Sequence, residues 1–172
     1  FSGGKNEIDV QPIILSQERY SQLEDNLMLF FTGYSRNAFE IAEAQIKASP
    51  KKATELNAMM NLLDEAFSIL SNDNRDINDL GHLMGRQWKI KRTLTNKITT
   101  PEIDDIYEAG MKAGALGGKL LGAGGGGFMI FYVTQERRSA VLNALNELLL
   151  VPFKIDHTGT ELMYSKSQNY SQ

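Results

Sequence analysis

A run of glycines is the stretch of this 172-residue chain whose composition most directly suggests chemistry. Residues 117–127 contain seven of the fifteen glycines. Glycine loses more backbone entropy on folding than any other residue, so this density predicts a backbone that reaches positive φ or is approached closely by another group. The four consecutive N–H groups of residues 124–127 could converge on an anion such as phosphate. The alternative is a tight connection that binds nothing.

Two well-known phosphate-binding motifs do not fit this run. Gly122, Gly124 and Gly127 satisfy G-x-G-x-x-G, but that motif needs a strand before it and a helix after it. Here the apolar pattern predicts a helix before the glycines and a strand, residues 128–133, after them. The P-loop motif fails because Leu120 follows Gly118-Lys119 where Ser or Thr is required, and because Ala113 occupies the upstream glycine position.

Basic side chains elsewhere offer further anion contacts. Arg36 follows a predicted strand that ends near Thr32, at the start of a predicted helix, where a guanidinium and backbone donors can hold an anionic group together. A surface ion pair is the alternative. Lys89 and Arg92 share one face of a predicted helix and could meet a phosphate, although a solvated helix face explains them as well.

The chain offers little for other chemistry. His82 and His157 lack metal-ligand spacing to another ligating residue. Ser35 has no base nearby in sequence, and Asp104 and Asp105 are explained by the positive end of a helix. The absence of cysteine excludes disulfides and thiolate ligands. We therefore assign no catalytic residue and no metal ligand within this chain.

Composition predicts one substantial core and argues against several kinds of partner. The chain is 42% hydrophobic with a net charge of −3 and no cluster of Lys or Arg, which argues against nucleic acid and anionic membranes. It has no apolar segment near the roughly 20 residues of a membrane helix, and no signal-peptide pattern at its start. A reducing cytoplasm suits this composition.

The periodicity of apolar residues predicts an α+β domain in which helices cover one face of a mainly antiparallel sheet. Strands are predicted at residues 27–31, 128–133 and 151–155, near Ile8 and Val10, and at Leu162 and Tyr164. Helices are predicted at residues 35–48 with Ser35 as N-cap, 56–70, 77–94, 101–118 with Thr100 as N-cap, and 136–150. Residues 17–25 form a linker or a short helix. Met59 and Met60 are expected to fill the core.

The segment Lys119-Leu120-Leu121-Gly122-Ala123-Gly124-Gly125-Gly126-Gly127-Phe128 resembles the third motif of the GHMP kinases, approximately K-x-x-G-A-G-x-G-G. Within that family, residues 30–36, 88–92, 114–119 and 151–154 resemble the bacterial D-glycero-D-manno-heptose phosphate kinases. The resemblance covers roughly residues 3–164.

The resemblance implies a function for the glycines. These kinases use ATP with Mg²⁺ to phosphorylate the anomeric oxygen of a heptose 7-phosphate. Arg36, with Thr32, is then expected to orient the sugar phosphate. Another sugar kinase of the family, acting on fucose or galactose, and a non-catalytic small-molecule-binding module are the alternatives. The expected nucleotide-binding residues are Gly122, Ala123, Gly124, Gly125, Gly126 and Gly127.

The resemblance also implies a division of the chain. Kinases of this family carry their phosphate loop, Mg²⁺ ligands and a functional Asp in an N-terminal domain, and nothing here matches that phosphate loop. Residues 1–6 resemble the end of the segment that holds the Asp, so this Asp is expected upstream of Phe1. Residues 1–25 would end the N-terminal ATP-binding domain, and residues 26–172 would form the C-terminal domain with a ferredoxin-like sheet. The missing domain would be its partner, and the chain alone would be inactive.

Overall fold

The computed structural model describes residues 12–35 and 37–156, which form a four-stranded sheet with six α-helices. A short 3-10 helix, Ser49–Lys51, separates the second and third α-helices. The strands are β1 Leu27–Phe31, β2 Gly117–Leu120, β3 Phe128–Tyr132 and β4 Leu149–Val151. The helices are α1 Gln17–Asn26, α2 Ala38–Ala48, α3 Ala53–Ser71, α4 Asp79–Arg92, α5 Pro101–Lys112 and α6 Gln135–Ala144.

The sheet has the order β2-β3-β1-β4, and every neighbouring pair is antiparallel. Successive side chains of a strand point to opposite faces, so the buried Met28 and Phe30 of β1 share a face with Met129 and Phe131 of β3. This face carries the main core, to which α6 contributes Val141. The α+β prediction with an antiparallel sheet covered by helices is confirmed.

Helices pack on both faces of the sheet rather than on one. A Cβ at Gly110 of α5 would meet the ring of Phe131, whereas a Cβ at Gly81 of α4 would meet the ring of the adjacent Tyr132. Neighbouring residues of a strand face opposite ways, so α5 and α4 lie on opposite sides. The additional helical layer is the pair α3 and α4, packed together through Leu62, Ile69 and Leu83.

Strand β2 is the element that the sequence pattern missed. The helix predicted to run to residue 118 ends at Lys112, and Gly114 follows with φ +109°, a conformation that a helix interior does not contain. Four residues then pair with β3 in register, with Lys119 opposite Ile130. Pairing with a distant strand overrides the local pattern here, as is common for strands.

The boundary between α6 and β4 also differs from the prediction. The helix ends at Ala144, six residues early, because Leu149, Leu150 and Val151 pair with β1. Leu149, which lies within the predicted helix, is 66% exposed. Helical spacing of leucines predicted a longer helix, but the edge of β1 was available for pairing.

Helix starts were predicted with mixed success. Thr100 caps α5 as expected, accepting a hydrogen bond from Ile103 N at 3.4 Å. The cap of α2 is Asn37, which accepts from Phe39 N at 3.1 Å, so the prediction of Ser35 is wrong. Residues 17–26 are helical rather than a linker.

Several predictions lie outside the described residues: the strands near Ile8 and Val10, and the strand with Leu162 and Tyr164. The division at residue 25 stays a prediction. Across that division, Arg19 Nη1 of α1 donates to Arg75 O at 3.0 Å. Among the helices described, none is long and apolar enough to cross a membrane.

Candidate functional site

The glycine loop, residues 121–127, connects β2 to β3, which are antiparallel neighbours. It is therefore the connection of a β-hairpin, and the expectation that a helix leads into it is wrong. The G-x-G-x-x-G motif still does not apply, because β3 rather than a helix follows the glycines.

Three backbone N–H groups of the glycine loop donate hydrogen bonds that hold it in place. Leu121 N donates to Phe128 O at 2.8 Å and closes the base of the hairpin. Gly125 N donates to Ile98 O at 2.8 Å, and Gly127 N donates to Tyr34 O at 2.8 Å. The loop therefore lies between the segment that follows β1 and the segment that precedes α5, and its position depends on both.

These bonds change the anion site that the sequence predicts. Of the four consecutive N–H groups of residues 124–127, those of Gly125 and Gly127 are engaged by backbone carbonyls. The N–H groups of Gly124 and Gly126 donate no hydrogen bond to any residue in the described part of the chain, nor do those of Gly122 and Ala123. The N–H groups available to an anion thus alternate with N–H groups that fix the loop.

Close packing explains the glycine at two of these positions. A Cβ at Gly124 would lie 2.7 Å from Ile98 O, and a Cβ at Gly126 would collide with Tyr34 O. At Gly122 and Gly127 nothing lies within 4 Å of an added Cβ, although φ is +73° and +97°. One set of glycines lets neighbouring segments approach the loop, and the other faces open space that a ligand can enter.

Thr32 lies directly beside the glycine loop and is buried. Its backbone N–H and its hydroxyl both donate to Gly127 O, each at 2.9 Å, and the hydroxyl accepts from Tyr34 N at 3.3 Å. The structure therefore brings this predicted site residue to the loop, with its hydroxyl engaged by the loop itself. Arg36, the other predicted substrate ligand, lies outside the described residues, and its role stays a prediction.

A lysine that sequence reasoning missed also contacts the loop. Lys91 Nζ donates to Gly122 O at 2.7 Å. Burial lowers the pKa of Lys91, and the nearby Lys119 ammonium lowers it further. Helical spacing in the sequence pointed instead to Lys89 and Arg92 as possible phosphate contacts. In the structure Lys89 is exposed, and Arg92 forms an ion pair with Asp104 at 2.9 Å. Only the position of the glycine loop over α4 distinguishes Lys91 from its neighbours.

Within residues 12–35 and 37–156, no group of three or more His, Cys, Asp or Glu side chains could hold a metal ion. His82, on α4, is exposed. What the site presents is therefore a set of backbone N–H donors next to a partly buried ammonium, an arrangement suited to an anion.

Residues 53–149 match the family model described as "GHMP kinases C terminal". The D-glycero-alpha-D-manno-heptose 7-phosphate kinase of Campylobacter jejuni is 30% identical over 139 residues, which are 80% of this chain and 41% of that protein.

Two solved structures share the fold. Methanococcus jannaschii mevalonate kinase superposes with a TM-score of 0.61 at 23% identity, covering 80% of this chain and 42% of that one. A D-glycero-D-manno-heptose 1-phosphate kinase from Bacteroides thetaiotaomicron superposes with a TM-score of 0.53 at 18% identity, covering 87% of this chain and 39% of that one.

The chain spans about two fifths of the length of these relatives. The family match covers more than half of this chain and includes α3, α4, α5, β2, the glycine loop, β3 and α6. The chain belongs to the GHMP kinase family, as the family's C-terminal domain.

Proposed function

We propose that this chain is the C-terminal part of an ATP-dependent sugar-phosphate kinase that phosphorylates the anomeric oxygen of D-glycero-D-manno-heptose 7-phosphate. The observation that carries the proposal is the glycine loop, whose unengaged N–H groups at Gly122, Ala123, Gly124 and Gly126 lie in a frame fixed by Ile98 and Tyr34. The 30% identity to a heptose 7-phosphate kinase supports the choice of sugar.

Phosphoryl transfer needs positioning and charge stabilisation more than covalent chemistry from the protein. Backbone N–H groups that are already oriented cost no reorganisation when charge develops on the transferred group. The bonds from Gly125 and Gly127 provide that fixed orientation, and the neighbouring free N–H groups provide the donors. The glycine loop would therefore help to define the transfer site through its main chain.

The donor set fits a phosphate of ATP, which supplies the group to be transferred when it is bound. Gly122, Ala123, Gly124 and Gly126 would donate to phosphate oxygens. The described residues do not form a Mg²⁺ site, so we propose that the metal takes its ligands from the N-terminal part of the kinase. That part would also supply the phosphate loop and the functional Asp.

The two predicted substrate residues would have different tasks. Arg36 would bind the phosphate of the sugar, because a guanidinium matches phosphate oxygens bidentately. Thr32 would act mainly as a positioning residue, since its hydroxyl donates to Gly127 O and is buried. Lys91 would orient the loop through Gly122 O and add positive charge beside it.

Steady-state kinetics of the full-length kinase with ATP test the proposal, with D-glycero-D-manno-heptose 7-phosphate, L-fucose and D-galactose as alternative substrates. We expect the heptose phosphate to give a kcat/KM at least about a hundredfold above the two neutral sugars, as loss of the contacts to one phosphate would cause. The R36A variant should chiefly raise KM for the heptose phosphate. L-fucose or galactose as the best substrate would contradict the heptose assignment.

The 172-residue chain by itself should not phosphorylate the heptose. Detection of a heptose bisphosphate with this chain alone would contradict the division of labour proposed here. Calorimetric titration of the same chain with ATP and with sugar phosphates tests the non-catalytic module. Micromolar binding without turnover in the full-length protein would favour that module over a kinase.

A further inference from the structure

An apolar cleft of about 410 Å³ lies between α3 and α4. Its volume is within the range of small-molecule sites. We call it the α3–α4 cleft. Its walls are mainly aliphatic and thioether side chains, among them Met59, Met60, Leu63 and Met84, and its two polar lining residues are Gln87 and Lys119.

Two of the α3 residues that border the cleft are exposed and Met59 is only half-buried, contrary to the prediction that Met59 and Met60 fill the core. Met60 is 54% exposed and Leu63 is 51% exposed, whereas Met59 is half-buried. Unbranched, polarizable methionines adapt to ligands of irregular shape, and they are over-used at binding surfaces for that reason. The walls of the cleft therefore suit an apolar molecule.

The two polar residues have few partners within the chain. Lys119 is partly buried, its ammonium makes no hydrogen bond or ion pair with any residue of the described part of the chain, and no Asp or Glu lines the cleft. Gln87 Oε1 is buried and accepts no hydrogen bond from those residues. Burial also lowers the pKa of Lys119, which is the effect of a desolvated ammonium without a counter-charge.

We propose that the α3–α4 cleft binds a small molecule that joins one anionic group to an apolar body. The anionic group would pair with Lys119, and the apolar body would lie along Met60, Leu63 and Met84. A second positive charge stands close by, since the Lys119 ammonium lowers the pKa of Lys91. An anion at Lys119 would therefore relieve repulsion between two ammonium groups as well.

The ligand class differs from the substrates of the proposed kinase. A sugar phosphate presents hydroxyls on every side, and burying them against methionine and leucine without hydrogen bonds would cost free energy. A single carboxylate, sulfonate or phosphate on an aliphatic or aromatic body leaves no such groups unpaired. The cleft is thus a second site with a ligand chemistry different from that of the glycine loop, which borders it through Lys119 and Lys91.

Methionine-methyl NMR of the 172-residue chain tests the proposal, with octanoate as the probe and octan-1-ol as its uncharged analogue. The chain has seven methionines. We expect octanoate to shift the methyl resonances of Met59, Met60 and Met84 and to leave those of Met28 and Met129 unchanged. The last two are buried in the main core, so they also report whether the fold is intact. Octanol should bind about tenfold more weakly, because it lacks the charge-assisted hydrogen bond.

Matched variants separate the two parts of the site. K119M should weaken octanoate binding about tenfold and leave octanol binding unchanged, whereas K112M, at an exposed lysine of α5, should change neither. L63S should weaken both probes, whereas I46S, at an exposed isoleucine of α2, should weaken neither.

Two outcomes would overturn the proposal. Equal affinity for octanoate and octanol in the unmodified chain would remove the role of Lys119. Unshifted Met59, Met60 and Met84 methyls would mean that the cleft takes no such ligand, as when a second copy of the chain or another segment of the polypeptide covers it.

Discussion

Thr32 and Gly127 are joined by two hydrogen bonds to one atom. The backbone N–H and the hydroxyl of Thr32 both donate to the Gly127 carbonyl oxygen at 2.9 Å, and Gly127 N donates in return to Tyr34 O. This reciprocal link fixes the end of the glycine loop to the chain that leaves β1. Thr32, one of the two residues expected to orient the substrate, is therefore fixed to the loop that is expected to meet the nucleotide.

The T32V variant measures the contribution of the hydroxyl. Valine has nearly the same shape but cannot donate to Gly127 O or accept from Tyr34 N, so we expect the free energy of unfolding to fall by about 1–2 kcal/mol. Urea denaturation measures the change. The control is T93V, which removes a hydroxyl that donates to Ile90 O at an exposed position. It should lower the free energy of unfolding by less than T32V does. Equal losses would show that the Thr32–Gly127 link has no special role.

Two glycines of the loop should respond differently to alanine. G124A places a Cβ 2.7 Å from Ile98 O at φ +126°, so steric overlap and backbone strain together should cost about 3 kcal/mol or more. In G122A the added Cβ has no atom within 4 Å, so only the strain of a left-handed backbone should lower the free energy of unfolding, by about 1–2 kcal/mol. Thermal unfolding of both variants measures which of them is less stable.

In the full-length kinase, G124V should depress kcat strongly, and unchanged kinetics would remove the loop from the mechanism.

A second glycine pair tests how α4 packs on the sheet. At Gly81 a Cβ would lie 2.8 Å from Leu116 Cβ and from a ring atom of Tyr132, so G81A should lower the free energy of unfolding by about 1–2 kcal/mol. At Gly85, one turn later, the nearest atoms are 3.5 Å away. G85A should therefore gain up to about 1 kcal/mol from helix propensity. A stabilised G81A would contradict the close approach of α4 to Leu116 and Tyr132.

The loss of stability of the fold at acidic pH should depend on the carboxylate of Glu24. Its carboxylate accepts hydrogen bonds from Lys154 Nζ at 2.5 Å and from Ile155 N at 2.9 Å, and these two bonds, in that order, lower the pKa of Glu24 below its ordinary value of 4.5. A lowered folded-state pKa stabilises the fold above pH 4.5, and the contribution is lost as the pH falls through the lowered value. E24Q should therefore be less stable than the unmodified chain at neutral pH, and the difference should shrink in acid.

A double-mutant cycle with K154M identifies the partner. Because the two side chains are in direct contact, the effects of E24Q and K154M on the free energy of unfolding should not add. Additive effects, or a pH-independent difference for E24Q, would show that the ion pair does not hold residues 154 and 155 against α1.

The sequence correctly predicted those helices and strands that are set by residues within them or directly beside them. Strand β1 is a continuous apolar run closed by Gly33, and α5 begins where Thr100 caps and Pro101 follows. The resemblance of residues 119–128 led to the GHMP kinase family, which the family match confirms. The glycine run also predicted that other groups approach its backbone closely, because so many glycines are entropically costly without such a reason.

Other features depended on contacts between segments far apart in sequence. Strand β2 forms because β3 is there to pair with it, and β4 replaces the end of a predicted helix because β1 has a free edge. The helical pattern of Met59 and Met60 marked an apolar face, but it could not show that this face borders an open cleft. Local propensity is a weak guide wherever such pairing decides the outcome.

The sequence by itself determined the α+β class and the place where backbone N–H groups could meet an anion, because glycine density and apolar periodicity are properties of contiguous residues. The family came from the resemblance of residues 119–128 to a known motif. Only the tertiary structure decided which N–H groups remain free. Ile98 and Tyr34, distant along the chain, engage those of Gly125 and Gly127 and leave Gly124 and Gly126. The same holds for Lys91, whose contact with Gly122 O arises from the packing of α4 beneath the hairpin.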